Sequence, residues 1–472
     1  MIPAEQMGED MKNMTLTNIA DACNGRLIYP AENSRKETEH LEAAGVVIDS
    51  RKAGENFIFV ATKGERVDGH RFIPDVFAKG ALGVVCEKEP KSLPGPCIVV
   101  EDSLEALKQI GEFYRQQLPV KVVGITGSVG KTSTKEFVAA VLSMKYKVHK
   151  TLGNYNNEVG VPLTVLSMPE DTEVAVLEMG INHFGEMRRL SSVASPDICV
   201  ITNIGVAHLE FFKTREGILQ EKSQMIQDMK HGGSILLNGD DDLLSRMGPV
   251  KGVTPVLFGT SEDCQCHASD IVPMGLKGTA CKIHMPDGEA FDCLIPTPGA
   301  HMVSNALAGA AVGAALGLAV EEIKAGIEAH TTLPGRNNII STGSLMILDD
   351  CYNANPISTK AAIDVLDMAI GRKVAVLGNM GELGNNEKEL HREVGAYAAR
   401  HGVDVLCAIG DLAKEIAAGA DGAPGIKVLW FATKQDFLAQ MNSIIKEGDN
   451  VLVKASHGMW FPEIVEQLVK FS

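Results

Sequence analysis

Short apolar runs separated by polar turns make up the first part of the chain. The segments GVVIDSR, NFIFVAT and LGVVCE predict short strands, and FIPDVFAKG predicts a helix between the last two. A longer segment, SLEALKQIGEFYRQQ, has the apolar spacing of an amphipathic helix and leads to a break at Leu118 and Pro119. We therefore predict a small mixed α/β domain over residues 1–118.

From residue 119 onward, uninterrupted apolar runs alternate with helical stretches. The runs KVVGIT, EVAVLEMG, DICVITNI, GSILLNG and TPVLFG predict buried strands, whereas KTSTKEFVAAVLSM and TREGILQEKSQMIQDM predict helices. This alternation is typical of a parallel sheet covered by helices. Turn residues within 268–296 indicate an antiparallel insertion, and a further helix is expected to begin near Val303 or Ser304. We predict a central parallel-sheet domain over residues 119–334.

A second alternation begins after the LPGR break at 333–336. The runs SLMILDD, KVAVLG, DVLCAIG, KVLWFA and NVLVKAS are each followed by a helical segment. This pattern predicts a Rossmann-like α/β domain over residues 335–472. The predicted fold class is thus α/β with three domains.

The amino-acid composition limits the classes of partner that the protein could bind. Lys and Arg number 44 against 60 Asp and Glu, a net charge of −16, which argues against a nucleic-acid or anionic membrane surface as partner. The longest apolar stretch, 306–320, is shorter than the roughly 20 residues of a membrane span. The N-terminus has no apolar signal segment, and Met14 is a candidate for the natural start.

The ten cysteines are scattered along the chain, which predicts reduced thiols and a cytoplasmic location. Three possible zinc ligands cluster at Cys264, Cys266 and His267, but no second ligand pair stands at zinc-finger spacing. We therefore do not expect structural zinc.

The motif GITGSVGKTST lies between a predicted strand and a predicted helix. Backbone N–H groups and the positive end of the helix dipole attract phosphate at such a turn. Lys131 would contact the β- and γ-phosphates, and the Thr132 hydroxyl would ligate magnesium. The strict GxxxxGK[ST] pattern is not met, because Ile125 stands where its first glycine would fall. The alternative is a glycine turn with a solvated lysine. The candidate phosphate contacts are Gly127, Ser128, Gly130, Lys131, Thr132 and Ser133.

Polar residues also follow other predicted strands. Glu178 stands at the end of EVAVLE, where a carboxylate could hold magnesium. The alternative is a solvated residue at the end of the strand. Asn203 and His208 come just past the next strand, and His208 alone could equally be a packing or surface residue. Lys222 lies on a predicted amphipathic helix, a position that is ordinarily solvated.

Taken together, six ordered stretches resemble the Mur ligases, the ATP-dependent amide-bond ligases of bacterial peptidoglycan synthesis. They are DSRKAGENFIFVATKGERVDGHRF, GITGSVGKTSTKE, GNYNNEVGVPLT, LEMGINHFGEM, ITNIGVAHLEFFK with the following EKSQM, and DDCYNANPIS. The last stretch, with GNMGELG and KASHGM, resembles the family member that adds D-Ala-D-Ala to UDP-MurNAc-tripeptide. Asn379 departs from the GDMxELG form that is common there.

The resemblance implies a reaction with ATP and magnesium as cofactors. The γ-phosphoryl group would pass to the tripeptide carboxylate, and the amine of D-Ala-D-Ala would attack the acyl phosphate to give UDP-MurNAc-pentapeptide, ADP and phosphate. Two alternatives stay open. One is another Mur ligase or a ligase similar to folylpolyglutamate synthase, and the other is a P-loop ATPase switch that forms no bond.

The resemblance also implies roles for residues at the reacting centre. Lys131 and Thr132 would act on the phosphates, and Glu178 would hold a metal ion. His208 and a carbamylated Lys222 would form a second metal site. For ATP binding it implies Asn305 at the adenine, with helix capping as the alternative, and Arg336 and Asp350 from the third domain.

Substrate contacts are implied in the first domain and in two loops. Arg51 and Lys63 suit a diphosphate. The alternative for the first-domain candidates and for the loop at 154–157 is solvated surface, and the alternative for Asn353 and Asn355 is that they only form a turn. The chain is expected to act as a monomer, and the sequence leaves open whether the third peptide residue is diaminopimelate or lysine. The implied substrate-binding residues are Ser50, Arg51, Lys63, Gly64, Asp68, His70, Asn154, Asn156, Asn157, Asn353 and Asn355.

Overall fold

The structure is a computed structural model that describes residues 11–64, 67–205 and 209–471. Its helices and strands alternate along most of the chain. Up to residue 118 they are α1 Leu16–Ala22, β1 Arg26–Ile28, α2 Glu32–Thr38, β2 Gly45–Val47, β3 Phe57–Val60, α3 Ile73–Ala78, β4 Gly83–Cys86, β5 Cys97–Val99 and α4 Ser103–Gln117.

The middle of the chain continues this alternation and then adds an antiparallel stretch. Its elements are β6 Lys121–Thr126, α5 Lys131–Leu142, β7 Val148–Lys150, α6 Gly160–Leu166, β8 Val174–Glu178, α7 Glu186–Ala194, β9 Ile198–Ile201, α8 Leu209–Phe212, α9 Arg215–Lys222, β10 Ser234–Asn238, β11 Val256–Gly259, β12 Cys266–Pro273, β13 Thr279–His284, β14 Ala290–Ile295, α10 Ala300–Ala315 and α11 Val320–Glu328.

The last part of the chain has five strand–helix pairs after one short strand. Its elements are β15 Asn338–Ser341, β16 Met346–Asp349, α12 Pro356–Asp367, β17 Lys373–Gly378, α13 Glu387–Arg400, β18 Val405–Ile409, α14 Ala413–Ala420, β19 Lys427–Phe431, α15 Lys434–Ile444, β20 Asn450–Lys454 and α16 Pro462–Val469.

The chain divides into two compact units. The first comprises residues 1–126, 146–200 and 221–234, and the second comprises residues 127–145, 201–220 and 235–472. The first unit contains a five-stranded sheet in the order β1-β5-β4-β3-β2, in which β2 to β5 are parallel and β1 is antiparallel to β5. Its core includes Phe59, Val76 and Val84. The predicted mixed α/β character of this region is confirmed.

Helix α4 shows how local sequence sets an element in the first unit. Asp102 caps it, because its carboxylate accepts hydrogen bonds from the N–H groups of Leu104 and Glu105 at 2.8 and 2.9 Å. Leu107 and Ile110, three residues apart, are fully buried on one face. The helix packs against α6 and α7.

Strands of the second sheet lie in both units. In the first unit their order is β9-β6-β8-β7, with β6, β8 and β7 parallel. In the second unit the order is β14-β13-β12-β11-β10; β10 to β12 are parallel, and β12 to β14 are antiparallel. The predicted parallel sheet and its antiparallel insertion are therefore confirmed. Helix α5 packs against α10 and α11 within the second unit.

The third sheet belongs entirely to the second unit. Its order is β15-β16-β20-β17-β18-β19, and all neighbours are parallel except β15 with β16. Alternate residues of β17 enter different cores: Val374 and Val376 lie on one face, Ala375 and Leu377 on the other. Because both faces are covered, this sheet has the buried strands of a Rossmann-like fold, as predicted.

Two predicted helices have different bounds in the structure. The segment predicted as one helix from Thr214 is α9 followed by a 3₁₀ helix at Ser223–Asp228, so Lys222 lies at the junction. Helix α10 begins at Ala300, earlier than the predicted start near Val303 or Ser304. Across the described ranges, no helix is long and apolar enough to cross a membrane.

Candidate functional site

Residues 127–130, called the phosphate loop below, connect β6 to α5. Gly130 is the N-cap of α5 and has φ +83°, a left-handed conformation that glycine adopts without strain. The first turn of an α-helix presents N–H groups that have no intrahelical acceptor. Thr132 and Ser133 lie in that turn, and Thr132 is buried. The terminus of α5 therefore has the kind of donors that the predicted phosphate contacts require, and those contacts stay a prediction.

The segment that follows β9 supports this loop from one side. The Thr202 hydroxyl donates to the Val129 carbonyl at 2.7 Å, and Asn203 Nδ2 donates to the same carbonyl at 2.8 Å. The Ser128 hydroxyl oxygen accepts from the Gly205 N–H at 2.9 Å. Sequence reasoning noted Asn203 only as a strand-end residue and did not note Thr202. The signal that could have found them is their position at the carboxyl end of a buried strand.

Lys131 is the first residue of α5, and its side chain turns back over the loop. Its Nζ donates to the Gly127 carbonyl at 2.8 Å. The ammonium therefore lies at the mouth of the same loop whose helix terminus would bind phosphate. The predicted contact between Lys131 and phosphate oxygens requires a cation at this position.

Asn305 lies inside α10, in its second turn, and is buried. Its Oδ1 accepts from the Thr134 hydroxyl at 2.9 Å, and its Nδ2 donates to the Met302 sulfur at 3.4 Å. The alternative role as a helix cap is wrong, because Gly299 is the N-cap of α10. The implied contact of Asn305 with adenine stays a prediction.

Glu178 ends β8 in the first unit and is 2% exposed. Asn156 Nδ2 donates to Glu178 Oε1 at 2.8 Å, and the Glu178 N–H donates to the Thr151 hydroxyl at 3.0 Å. The alternative of a solvated strand end is therefore wrong. Asn156 orients a buried carboxylate, which is the arrangement that a metal-binding carboxylate needs.

Lys222 is 2% exposed, so it is not the solvated helix residue that its sequence position suggests. The preceding Glu221 is also buried, and its Oε1 accepts from the Met187 N–H at 3.0 Å. A buried amine is costly unless polar groups or a chemical modification compensate it. His208, the other predicted second-site ligand, lies outside the described residues.

The C-terminal candidates lie on both sides of β15 and β16: Arg336 precedes β15, whereas Asp350, Asn353 and Asn355 follow β16. Asp350 is bonded to the buried Lys454, with Oδ2 at 2.5 Å from Nζ, and its Oδ1 accepts from the Asn337 N–H at 3.0 Å. Lys454 Nζ also donates to the Asn353 carbonyl at 2.9 Å. The Arg336 guanidinium stacks on the Tyr352 ring, 3.7 Å from its centroid. Sequence reasoning missed Lys454, although the KASHGM segment contains it.

The first-domain candidates form two exposed pairs. Arg51 makes a bidentate bond to Asp49, with Nη2–Oδ2 at 2.7 Å, and this guanidinium lowers the pKa of the Asp49 carboxyl to about 2. His70 Nδ1 lies 2.7 Å from Asp68 Oδ1. Hydrogen bonds from the backbone N–H and the ring of His70 lower the pKa of the Asp68 carboxyl. Since His70 Nε2 accepts from the Glu87 N–H at 2.9 Å, the ring proton is on Nδ1.

The other first-domain candidates are placed mainly by backbone contacts. The Ser50 carbonyl accepts from Lys79 Nζ at 2.6 Å. Lys63 forms an isolated antiparallel bridge with Asp68, and the Gly64 N–H donates to the Val67 carbonyl at 2.9 Å. The backbone of Lys63 is therefore paired with that of Asp68, and its side chain is exposed.

The candidate asparagines have clear local roles. Asn157 Oδ1 accepts from the Gly160 N–H at 2.8 Å at the start of α6, and the Asn154 carbonyl accepts from the Asn156 N–H at 2.7 Å. Asn355 caps α12 by accepting from the Ser358 N–H at 2.8 Å. The bond to Ser358 supports the turn-forming alternative for Asn355, and Asn157 has a local role at the start of α6; the implied substrate contacts of both stay predictions.

Comparison with protein families gives three consecutive matches. The model of the Mur ligase family, catalytic domain, matches residues 42–120, and that of the Mur ligase middle domain matches residues 125–313. The model of the Mur ligase, glutamate ligase domain, matches residues 335–457.

Individual proteins match over the whole chain. The UDP-N-acetylmuramoyl-tripeptide--D-alanyl-D-alanine ligase of Bacillus subtilis (strain 168) is 39% identical over 469 residues, 98% of this chain and 99% of that protein. A crystal structure of MurF from Acinetobacter baumannii is similar with a TM-score of 0.89 and 30% identity, covering 98% of this chain and 100% of that one. The MurF ligase from Thermotoga maritima in complex with ADP has a TM-score of 0.81 and 30% identity, covering 90% and 97%.

The fold and the phosphate loop are those of an ATP-dependent ligase, as the resemblance implies. The chain belongs to the Mur ligase family.

Proposed function

We propose that this chain joins D-Ala-D-Ala to the C-terminal carboxyl group of UDP-MurNAc-tripeptide, with ATP converted to ADP and phosphate. The observation that carries the proposal is the full-length likeness to the Bacillus subtilis ligase named for that reaction, across 98% of this chain and 99% of that protein. The ADP complex of the Thermotoga maritima relative supports a nucleotide as cofactor. The oriented Glu178 carboxylate and the phosphate-loop terminus supply the groups that the reaction needs.

ATP is proposed to bind at the loop between β6 and α5. The helix terminus and the Lys131 ammonium offset the negative charge of the phosphates. In transferring the γ-phosphoryl group to the carboxylate, the reaction forms a C–O–P linkage and releases ADP. Lys131, by this proposal, moves from the Gly127 carbonyl to phosphate oxygens when ATP binds.

Magnesium is the proposed metal. The implied ligands, the Thr132 hydroxyl of the second unit and the Glu178 carboxylate of the first, each carry a hard oxygen donor of the kind that suits Mg²⁺. Within the described ranges no three His, Cys, Asp or Glu side chains are grouped to hold a metal ion by themselves. The fit therefore rests on Thr132, on Glu178 as oriented by Asn156, and on phosphate oxygens. When bound, the ion would neutralise charge that develops on the phosphoryl oxygens.

Lys222 is proposed to carry a carbamate formed with carbon dioxide. The modification replaces a buried ammonium by an anionic oxygen donor, which could hold a metal together with His208. Its burial supports the proposal, because a carbamate formed there is kept from bulk water. In its unmodified charged form the lysine could not be a metal ligand.

The second half of the reaction is amide formation. Phosphorylation converts the carboxylate, a poor electrophile, into an acyl phosphate with a good leaving group. The amine of D-Ala-D-Ala attacks the carbonyl carbon, the tetrahedral intermediate expels phosphate, and the nitrogen loses a proton. Asp350, Asn353 and Lys454 are proposed to hold the C-terminal loop that approaches nucleotide and dipeptide.

The uridine diphosphate is proposed to bind the N-terminal region. Arg51 and Lys63 are exposed cations there, and Asp68 and His70 form a preset hydrogen-bonded pair. The proposed domain bounds stay 1–118, 119–334 and 335–472. The enzyme is proposed to be a monomer. A cytoplasmic location is proposed because the ten cysteines are buried free thiols.

Phosphate release with each substrate omitted in turn tests the proposal. We expect release from ATP only when UDP-MurNAc-tripeptide and D-Ala-D-Ala are both present. A single amino acid in place of the dipeptide should give no product. Equal phosphate release without either acceptor would instead indicate an ATPase switch.

A further inference from the structure

The third sheet reverses its strand order at β17 and β20. These strands are neighbours and parallel, yet the chain leaves them toward opposite faces of the sheet. Helix α13, which follows β17, contributes Val394 to the core on one face, whereas α16, which follows β20, contributes Ile464 to the core on the other. Ligands of open α/β sheets bind in the crevice outside the carboxyl ends of such strands. This place is called the β17–β20 crevice below.

Two loops border the crevice. One is residues 379–382 of the GNMGELG segment, which follows β17, and the other is residues 455–460, which follows β20. Each contains a residue other than glycine in the left-handed region, since Glu382 has φ +61° and Trp460 has φ +54°. Such a conformation costs about 1–3 kcal/mol, persists only where surrounding contacts hold the backbone, and is common at ligand sites.

Hydrogen bonds hold loop 379–382 from two sides. The Ser456 N–H donates to the Asn379 carbonyl at 2.9 Å, and the Gly381 N–H donates to Ser456 Oγ at 2.7 Å, so the two loops are joined across the crevice. From α14, the Ala413 N–H donates to Asn379 Oδ1 at 2.8 Å. Asparagine and aspartate share that acceptor oxygen, so the departure of Asn379 from the GDMxELG form keeps this bond.

His391 holds the middle of the same loop from inside the core. It lies on α13 and is fully buried. The Met380 N–H donates to His391 Nε2 at 2.9 Å, and Nδ1 donates to the Glu387 carbonyl at 2.6 Å. Since Nε2 accepts, the ring is neutral with its proton on Nδ1. Burial lowers the pKa of His391, which favours this neutral form.

We propose that the β17–β20 crevice receives the incoming D-Ala-D-Ala and that His391 and Ser456 are positioning residues, which hold loop 379–382 in the conformation that binds it. The inference rests on the proposed function and adds these residues to it. That proposal places the ATP phosphates at the phosphate loop and the uridine diphosphate in the N-terminal region, so the dipeptide is the substrate that remains for this crevice. His391 touches no substrate in this account. It acts through the Met380 peptide group.

Two substitutions of His391 separate its acceptor from its bulk. His391→Leu removes the acceptor for the Met380 N–H and keeps a buried apolar side chain. His391→Gln keeps an acceptor, because its Oε1 can occupy the place of Nε2. The matched control is His401→Leu. His401 ends the same helix, and its Nδ1 likewise donates to the carbonyl four residues earlier, at Tyr397, but its ring stacks on Tyr397 instead of holding a loop.

The test is steady-state kinetics of pentapeptide formation by the full chain, with each substrate varied in turn. We expect His391→Leu to raise the KM for D-Ala-D-Ala about tenfold, the effect of one buried N–H left without its acceptor. The KM values for ATP and UDP-MurNAc-tripeptide should stay at the wild-type values. His391→Gln should return the dipeptide KM to within about threefold of wild type, and His401→Leu should behave as wild type does.

Three results would overturn the inference. They are an unchanged dipeptide KM in His391→Leu, a KM for ATP that rises as much as that for the dipeptide, and a His391→Gln chain as impaired as His391→Leu. Ser456→Ala removes the acceptor for the Gly381 N–H and should also raise the dipeptide KM while leaving that for ATP unchanged. If His391→Leu does not fold, as judged by thermal unfolding, Ser456→Ala decides, and an unchanged dipeptide KM overturns the inference. If the wild-type chain forms no pentapeptide, the proposed function fails instead.

Discussion

The Thr202 hydroxyl occupies the space that a side chain on Gly127 would need. A Cβ atom built on Gly127 would lie 1.9 Å from Thr202 Oγ1 and 3.1 Å from Thr202 Cβ. Thr202 itself is fixed, because its hydroxyl donates to the Val129 carbonyl. The close approach of the loop to the end of β9 therefore requires glycine at position 127.

Gly127→Ala should open the phosphate loop. The methyl group must displace either Thr202 or the loop, so we expect the Kd for ADP to rise about tenfold or more. Calorimetric titration with ADP measures the effect. Gly248→Ala is the control for a glycine substitution in an open position, since a Cβ there meets nothing within 4 Å and the backbone is not left-handed; its ADP affinity should be unchanged. Wild-type affinity in Gly127→Ala would contradict the loop geometry.

Lys131→Ala should remove phosphoryl transfer. The substitution deletes the cation at the loop mouth, so kcat should fall at least about 100-fold. Quenched-flow detection of the acyl phosphate measures the step directly. The control is Lys145→Ala, at the end of the same segment, whose Nζ donates to the Gly317 carbonyl on the surface. Near-normal turnover of Lys131→Ala would remove this lysine from the reaction.

Lys222→Ala should be inactive and partly rescued by a short carboxylate such as acetate, which can replace the carbamate oxygens. We expect a loss of about 100-fold or more in kcat. Activity measured against acetate concentration tests the rescue, and mass spectrometry of wild type in the presence of labelled carbon dioxide after chemical trapping tests the carbamate. A fully active Lys222→Ala chain would show that no carbamate is needed.

Arg51→Ala should weaken the binding of the uridine substrate. We expect the KM for UDP-MurNAc-tripeptide to rise about tenfold while the KM for ATP changes little. The substitution also frees Asp49, whose pKa the guanidinium holds at about 2. That carboxyl should then titrate at an ordinary, higher pH, which NMR can follow. Equal effects on both KM values would count against an N-terminal uridine site.

Arg115 should be important for stability rather than for catalysis. Its guanidinium is 1% exposed and donates to the backbone carbonyls of Ala194, Leu118 and Val120 at 3.0 to 3.2 Å. Arg115→Met leaves these carbonyls without donors, so we expect a loss of about 3 kcal/mol in the free energy of unfolding. Denaturant titration measures it. Arg26→Met is the control, because Arg26 pairs with Glu89 on the surface and should cost less than about 1 kcal/mol.

Sequence periodicity was sufficient to predict the α/β fold class and most of the strands. Long apolar runs such as KVAVLG are buried on both faces, and that burial is what makes their composition distinctive. The short strands β1 and β7 have three residues each and were not predicted, because partly exposed strands lack such a run. The start of α10 was misplaced, since no side-chain cap marks its first residue.

The candidate site was less completely predictable. Lys131 and Thr132 belong to a motif whose residues are close together in the chain, so their spacing alone identifies them. Glu178 and Lys222 are unremarkable in sequence, and only the fold shows that both are buried. Asn203 and Thr202 act on a loop more than seventy residues earlier in the chain. Such long-range hydrogen bonds leave no spacing signal in a single sequence.

The central claim is that a carboxylate is activated as an acyl phosphate. The most direct measurement uses UDP-MurNAc-tripeptide with oxygen-18 in its C-terminal carboxylate, together with unlabelled ATP and D-Ala-D-Ala. The account predicts that one labelled oxygen per turnover appears in the released phosphate, because the carboxylate oxygen becomes the bridging atom that leaves with phosphorus. Phosphate that carries no label, alongside normal formation of the pentapeptide product, would contradict it.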